Sequence, residues 1–162
     1  GQGSIEWSSG DSYIGGWKDA LLEGKGTYTW ANGDVYTGEF KDGYRDGQGT
    51  YIRTTGHVYK GEWKDGQSNG YGTCKYENGN YYEGEWVNGY PSGQGKMTYA
   101  SGDVYDGEWK TGLFDGYGTY TWANGDVYYG EWADDKANGQ GTKKLATGEV
   151  YSGTYKDGSL IQ

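Results

Sequence analysis

His57 and Cys74 are the only histidine and the only cysteine in the chain, so acid–base or thiol chemistry would have to begin with them. A catalytic histidine needs an orienting partner, and a reactive thiol needs a base or cation beside it. His57 stands at a turn position held elsewhere by Asp34, Asp103 or Asp126, which reads as a solvated turn residue. Cys74 stands where other copies carry Tyr, Ile or Met, which reads as core packing. Glu39, Glu62, Glu85, Glu108 and Glu131 form a column at one spacing. Its members lie two strands apart, about 9.6 Å. A single Ca²⁺ with bonds of about 2.3–2.6 Å cannot bridge that gap, so a solvated column partnered by Lys and Thr is expected. The repeated Asn-Gly-Asp stretches read as turn caps. The Gly-x-Gly pairs are not phosphate loops, because no helix follows them. No constellation breaks the repeat symmetry as an active site must. The reading assigns no catalytic residue, no metal and no cofactor, and the chain is not read as an enzyme.

The aromatic residues offer recognition instead. The chain holds 19 Tyr and 8 Trp, each bringing roughly 150–250 Å² of surface when buried. A single-layer sheet has nothing else to cover an aromatic face. Some rings should therefore stay exposed and anchor a partner. The candidates are Tyr36, Phe40, Tyr59, Trp63, Tyr82, Trp86, Tyr105, Trp109, Tyr128 and Trp132, with the central six (Tyr59 to Trp109) favoured.

What positions these rings is a repeat. Gly-x-Gly recurs at Gly1/Gly3, Gly24/Gly26, Gly47/Gly49, Gly70/Gly72, Gly93/Gly95, Gly116/Gly118 and Gly139/Gly141, always 23 residues on. Seven copies (1–23, 24–46, 47–69, 70–92, 93–115, 116–138, 139–161) make a single array over 1–162. Numbered from the first Gly, position 13 is always Tyr, position 17 always aromatic and position 7 usually aromatic, while position 5 is Ile5, Tyr28, Tyr51, Cys74, Met97, Tyr120 and Lys143. All four positions are odd, so the local period is 2 and the element is a strand. A three-residue loop over positions 8–10 pairs 7 with 11, 5 with 13 and 3 with 15, which keeps every odd residue on one face. That loop ends in a bulge residue with positive φ, which the invariant Gly at position 10 tolerates. Glycines at 3 and 15 then lie side by side and leave room for a ring to lie flat on the backbone. The expected fold is all-β: an elongated, single-layer antiparallel sheet of seven stacked hairpins, fourteen strands spanning roughly 65 Å. The stretch from position 18 to the next Gly reads as a short solvent-facing loop. The first and last copies deviate as terminal caps do, and repeat 6 carries Asp135 where most copies have Gly. Residues 27–36 and 119–128 are identical, which points to recent duplication or consensus design.

Composition bounds the partners. A net charge of −9 makes a poor surface for nucleic acid or anionic lipid. One cysteine excludes an internal disulfide and fits a reducing compartment. No apolar run approaches the roughly 20 residues of a membrane span. The chain begins in phase with the repeat and without Met, as a fragment or processed product does.

Tyr-x-Gly-Glu-Trp-x-x-Gly followed by Gly-x-Gly, as in Tyr59 to Gly72 and Tyr82 to Gly95, resembles the MORN repeat (membrane occupation and recognition nexus) in all seven copies. The resemblance implies an accessory role: scaffolding, protein binding, or attachment to membranes and cytoskeleton in the cytoplasm. The family often places His just before Gly-x-Gly. Here Glu23, Asp46, Asn69, Ser92, Asp115 and Asn138 stand there, which weakens the lipid reading. The expected function is a scaffold that binds a peptide or helix of a partner protein along an aromatic groove. The alternatives are a membrane or phosphoinositide adaptor and a glycan-binding repeat. A homodimer through the terminal repeats is a further expected contact.

Overall fold

The computed structural model describes residues 1–162, which form strands and turns with no helix. Two units are distinguished, Gly1–Glu77 and Asn78–Gln162. The first holds β1 (Gln2–Glu6), β2 (Ser12–Lys18), β3 (Leu21–Thr29), β4 (Val35–Lys41), β5 (Tyr44–Ile52), β6 (Val58–Lys64) and β7 (Gln67–Lys75). The second holds β8 (Tyr81–Val87), β9 (Tyr90–Thr98), β10 (Val104–Lys110), β11 (Leu113–Thr121), β12 (Val127–Ala133), β13 (Lys136–Lys144), β14 (Val150–Lys156) and β15 (Ser159–Leu160). Within each unit every strand pairs antiparallel with the next in sequence, a plain meander.

The register follows from the three-residue loop. Ile5 faces Tyr13 and Gly3 faces Gly15; Tyr28 faces Tyr36; Met97 faces Tyr105 and Gly95 faces Gly107. At the loop, Trp30 N–H donates to the Asp34 carbonyl at 2.9 Å and Gly33 N–H to the Trp30 carbonyl at 2.8 Å. Gly33 has φ +91°, the bulge geometry that parity required.

The other connection is tighter than expected. The stretch after position 18 is no loop but a two-residue turn, Asp42 (φ 49°) and Gly43 (φ 87°), both left-handed as a type I′ hairpin demands. Positions 21–23 therefore belong to the next strand, and the last copy's Ser159 and Leu160 form a fifteenth strand. The added length is absorbed by a bulge: Gly38 pairs with Gly49 but Phe40 pairs with Arg45. Glu39 thus faces three residues, Asp46 to Gln48. Its carboxylate accepts the Gln48 N–H at 2.8 Å, and Glu62 does the same for Tyr71 at 3.0 Å. The glutamate column is a set of backbone caps, which corrects the expectation of Lys and Thr partners. The aspartates of the Asn-Gly-Asp turns clasp the next turn along: Asp34 accepts the Thr54 N–H at 3.0 Å and the Tyr51 hydroxyl at 2.9 Å.

The core is aromatic. Tyr13, Tyr36, Tyr82, Tyr105 and Tyr128 each stand edge-on between two position-17 rings. Tyr36 meets Phe40 at 5.1 Å and Trp63 at 5.2 Å; Tyr105 meets Trp109 at 5.2 Å and Trp132 at 5.5 Å. Each such pair contributes about 0.5–1.5 kcal/mol beyond burial. The rings lie on the glycine row, where a Cβ at Gly49 would sit 2.2 Å from the Tyr36 hydroxyl oxygen.

Candidate functional site

The ten rings proposed from the sequence as partner contacts are all buried, from Tyr36, Tyr82 and Tyr105 at 0% exposure to Trp132 at 8%. The glycine row explains this. Without Cβ atoms beneath them the tyrosines drop against the backbone, and the position-17 rings close over the gaps. Their polar atoms are used internally: the Tyr36 hydroxyl donates to the Glu39 carbonyl at 3.0 Å, and the Trp63, Trp109 and Trp132 indoles donate to Gly49, Gly95 and Gly118 carbonyls at 3.1, 2.9 and 3.1 Å. Burial pushes the Tyr128 phenol up to about 12, with the Tyr155 and Glu131 charges adding to it.

The accessible rings of the aromatic face lie at positions 5 and 7, with position 22 packed behind them. In the second unit this face forms a pocket of about 470 Å³ lined by Met97, Tyr99, Trp109, Phe114, Tyr120, Trp122, Trp132 and Asp135, with the Gly112 backbone. Tyr99, Tyr120 and Trp122 are half-buried, while Trp109 and Trp132 form the wall behind them. The place of the corresponding pocket in the first unit is taken by Arg45, three repeats before Phe114. Its guanidinium carbon lies 4.2 Å from the Trp63 ring centre and 5.4, 5.7 and 5.8 Å from those of Tyr51, Tyr36 and Trp30. Arg45 also donates to the Gly66 carbonyl at 2.6 Å. Burial depresses its guanidinium pKa, and the charges of Tyr36 and Tyr51 offset part of that.

Sequence reasoning gave position 22 to a loop and missed this. Leu22, Arg45, Ser68, Pro91, Phe114, Ala137 and Leu160 share no chemistry, so no periodic signal marks the site. The signal was the Asp-Gly pair at 42–43, which demands a two-residue hairpin and so puts Arg45 opposite Phe40.

The opposite face carries grooves of its own. The glycine row carries no side chains there either and floors a groove of about 740 Å³ in the first unit, edged by Ile14, Thr27, Thr37, Thr50, Lys25 and Lys60 among others. A groove of about 580 Å³ in the second unit is edged by Tyr117 and Tyr129, both more than half exposed.

His57 is not the solvated residue expected. It lies half-buried with Nε2 3.6 Å from the Cys74 sulfur and its ring against Tyr76. Burial pushes the Cys74 thiol up to about 11, and burial with the nearby Arg53 charge lowers the His57 imidazole. Both effects favour the neutral forms, the reverse of a thiolate–imidazolium pair. No group of three or more His, Cys, Asp or Glu is gathered where a metal ion could sit.

The MORN repeat family model matches six consecutive stretches, residues 13–35, 36–58, 59–81, 82–104, 105–127 and 128–150. Its frame starts at the invariant tyrosine rather than at Gly-x-Gly. No curated protein sequence matches the chain. Among solved structures, the fold is similar to the SAS-4 (dCPAP) TCP domain in complex with a proline-rich motif of Ana2 (dSTIL) of Drosophila melanogaster. That match is 11% identical, has a TM-score of 0.51 and covers 95% of this chain and 90% of that one. The G-box domain of the microcephaly protein CPAP is 12% identical at a TM-score of 0.38, covering 96% and 100%. At 11% identity the first likeness concerns the fold alone.

Proposed function

Because this chain belongs to the MORN repeat family, we propose that it is a non-enzymatic protein-interaction module that takes a segment of a partner protein on its aromatic face. The observation that carries the reading is the 470 Å³ pocket of the second unit, with half-buried rings at its mouth and buried indoles behind. Tyr and Trp anchors of this kind concentrate binding energy. Of the ten rings nominated from sequence, Trp109 and Trp132 line this pocket. Tyr36, Phe40, Tyr59, Trp63, Tyr82, Trp86, Tyr105 and Tyr128 act as the framework that holds the face rigid. The SAS-4 domain is seen with a peptide motif, which supports a segment rather than a whole domain as the class of partner. A net charge of −9 speaks against an anionic membrane as the ligand.

The test is a panel of linear peptides selected on the chain and titrated against Trp122→Ala and Tyr129→Ala. Trp122 sits at the pocket mouth and Tyr129 on the opposite face, so both variants should stay folded. Loss of binding in Trp122→Ala, by one to a few kcal/mol for an aromatic anchor, with Tyr129→Ala unchanged, supports the reading. The reverse pattern moves the site to the glycine-floored groove.

A further inference from the structure

Resting on that reading, we infer that the pocket of the second unit recognises an arginine side chain of the partner segment, held by the rings of Tyr99, Tyr120, Trp122 and Trp132 and by the Asp135 carboxylate.

The molecule itself supplies the precedent. In the first unit four rings, Trp30, Tyr36, Tyr51 and Trp63, already enclose a guanidinium, that of Arg45; three of them correspond to Tyr99, Tyr120 and Trp132, and the fourth, Tyr36, corresponds to Tyr105. Indole and phenol faces carry negative quadrupole density, and a planar guanidinium both stacks on them and sheds water more readily than an ammonium. Arg45 finds its hydrogen-bond acceptor at position 20 of the next repeat, the Gly66 carbonyl. Three repeats on, position 22 is Phe114, which lies flat on Tyr105 at 3.7 Å and 11° and supplies no cation. Phe114 also meets Trp132 at 5.3 Å and so fills the place of the Arg45 side chain; the open space of about 470 Å³ lies beside it. Position 20 of the next repeat, the place of the acceptor, is Asp135, which lines that space.

Asp135 departs from the residue that most repeats carry here. It has φ +65°, a left-handed conformation that glycine adopts more readily. Gly43, Gly66, Gly89, Gly112 and Gly158 hold the same position in other repeats. Its Oδ1 accepts the Phe114 N–H at 2.7 Å, which fixes the carboxylate beside the rings. The surroundings are negative: Asp135 and Asp103 both add to the burial that pushes the Tyr99 phenol up to about 12. Lys143 already lies 4.7 Å from the Trp122 ring centre, a second instance of these rings holding a cation. An arginine brings charge to meet Asp135, a flat face for the rings and two edges of donors. A lysine brings only the charge, and an apolar side chain leaves Asp135 without a counter-ion.

The test selects a random linear peptide library on the whole chain and resynthesises the bound peptides for calorimetry. Each is remade with its arginine replaced by lysine or by citrulline, the neutral isostere, and titrated against wild type, Asp135→Asn and Asp135→Gly. Asp135→Gly installs the residue that most other repeats carry, so reduced binding there is not a failure to fold. Expected are peptides with one indispensable arginine, at least about tenfold weaker as citrulline. Asp135→Asn and Asp135→Gly should weaken the arginine peptide about tenfold and leave the citrulline peptide unchanged. Peptides that bind without arginine, or an arginine peptide indifferent to both Asp135 variants, overturn the inference and leave the interaction module standing. Enrichment of no peptide at all overturns both.

Discussion

Substituting alanine for Gly49 tests the packing logic of the whole molecule. The new Cβ would sit 2.2 Å from the Tyr36 hydroxyl oxygen and 2.4 and 2.5 Å from the ring carbons Cζ and Cε2. Ordinary contact needs about 3.5 Å or more, so the ring must move by about 1 Å. It cannot do so alone, because Phe40 and Trp63 hold it edge-on from both sides and its hydroxyl is bonded to the Glu39 carbonyl. Overpacking of this kind costs about 1–3 kcal/mol. Loss of the hydrogen bond adds about 1 kcal/mol, and weakening of two ring pairs adds about 1 kcal/mol more. The sum, about 3–5 kcal/mol, is a large share of the roughly 5–15 kcal/mol that stabilises a domain. A double-mutant cycle with Tyr36→Ala isolates the cause. With the ring gone, Gly49→Ala should cost nothing and gain a few tenths of a kcal/mol from backbone entropy. Urea unfolding of the four proteins gives the coupling energy, expected at about 3 kcal/mol or more. If Gly49→Ala costs the same in both backgrounds, ring-on-glycine packing is not what holds the sheet together.

Alkaline pH should unfold the protein. Burial holds the Tyr36, Tyr59, Tyr105 and Tyr120 phenols well above the ordinary range, and Tyr99 and Tyr128 at about 12. Folded values above unfolded ones mean a contribution that is complete below the ordinary phenol pKa of about 10 and lost as pH rises through the folded values. Tyrosinate absorbance and circular dichroism should change together; independent titration of the phenols with the sheet intact would count against burial as the cause. Gly79→Val, at φ +89°, should lower stability by about 1–3 kcal/mol from strain, while Lys64→Ala at the exposed end of β6 should change it little; equal melting temperatures would refute the bulge-turn assignment. Arg45→Ala empties the first unit's ring cage and should cost about 2–3 kcal/mol through lost packing and cation–ring attraction, measured by the same urea titration; no loss would mean the guanidinium is an incidental neighbour.

Much of the fold was legible because its determinants are local and repeated. Tyr at position 13, Gly at 3, 10 and 15 and the parity of the loop fixed the pairing Tyr28–Tyr36 before any coordinates. The second hairpin turn was not read, although Asp42-Gly43 carries it, because the surrounding Lys-Asp-Gly composition also suits a loop. That one omission hid the bulge, the capping role of the glutamates and the whole of position 22. The site was less legible than the fold. Parity shows that rings share a face, but not whether they cover one another. Coverage depends on how deep Tyr36 or Tyr105 sinks on the glycines, which is a matter of packing in three dimensions. Arg45 and Phe114 occupy a position that holds six residue types in seven copies, so repetition, the main signal, is silent there.

The central claim is that the second unit's ring pocket is where a partner segment docks. Its most direct test is an NMR titration of the tryptophan indole N–H and tyrosine ring signals with a peptide selected on the chain. The account predicts a large, saturable shift of Trp122, accompanied by Trp132, with tyrosines on the opposite face such as Tyr117 and Tyr129 unmoved. Saturable shifts confined to Tyr117 and Tyr129, with Trp122 and Trp132 unchanged, would contradict it and place the partner in the glycine-floored groove.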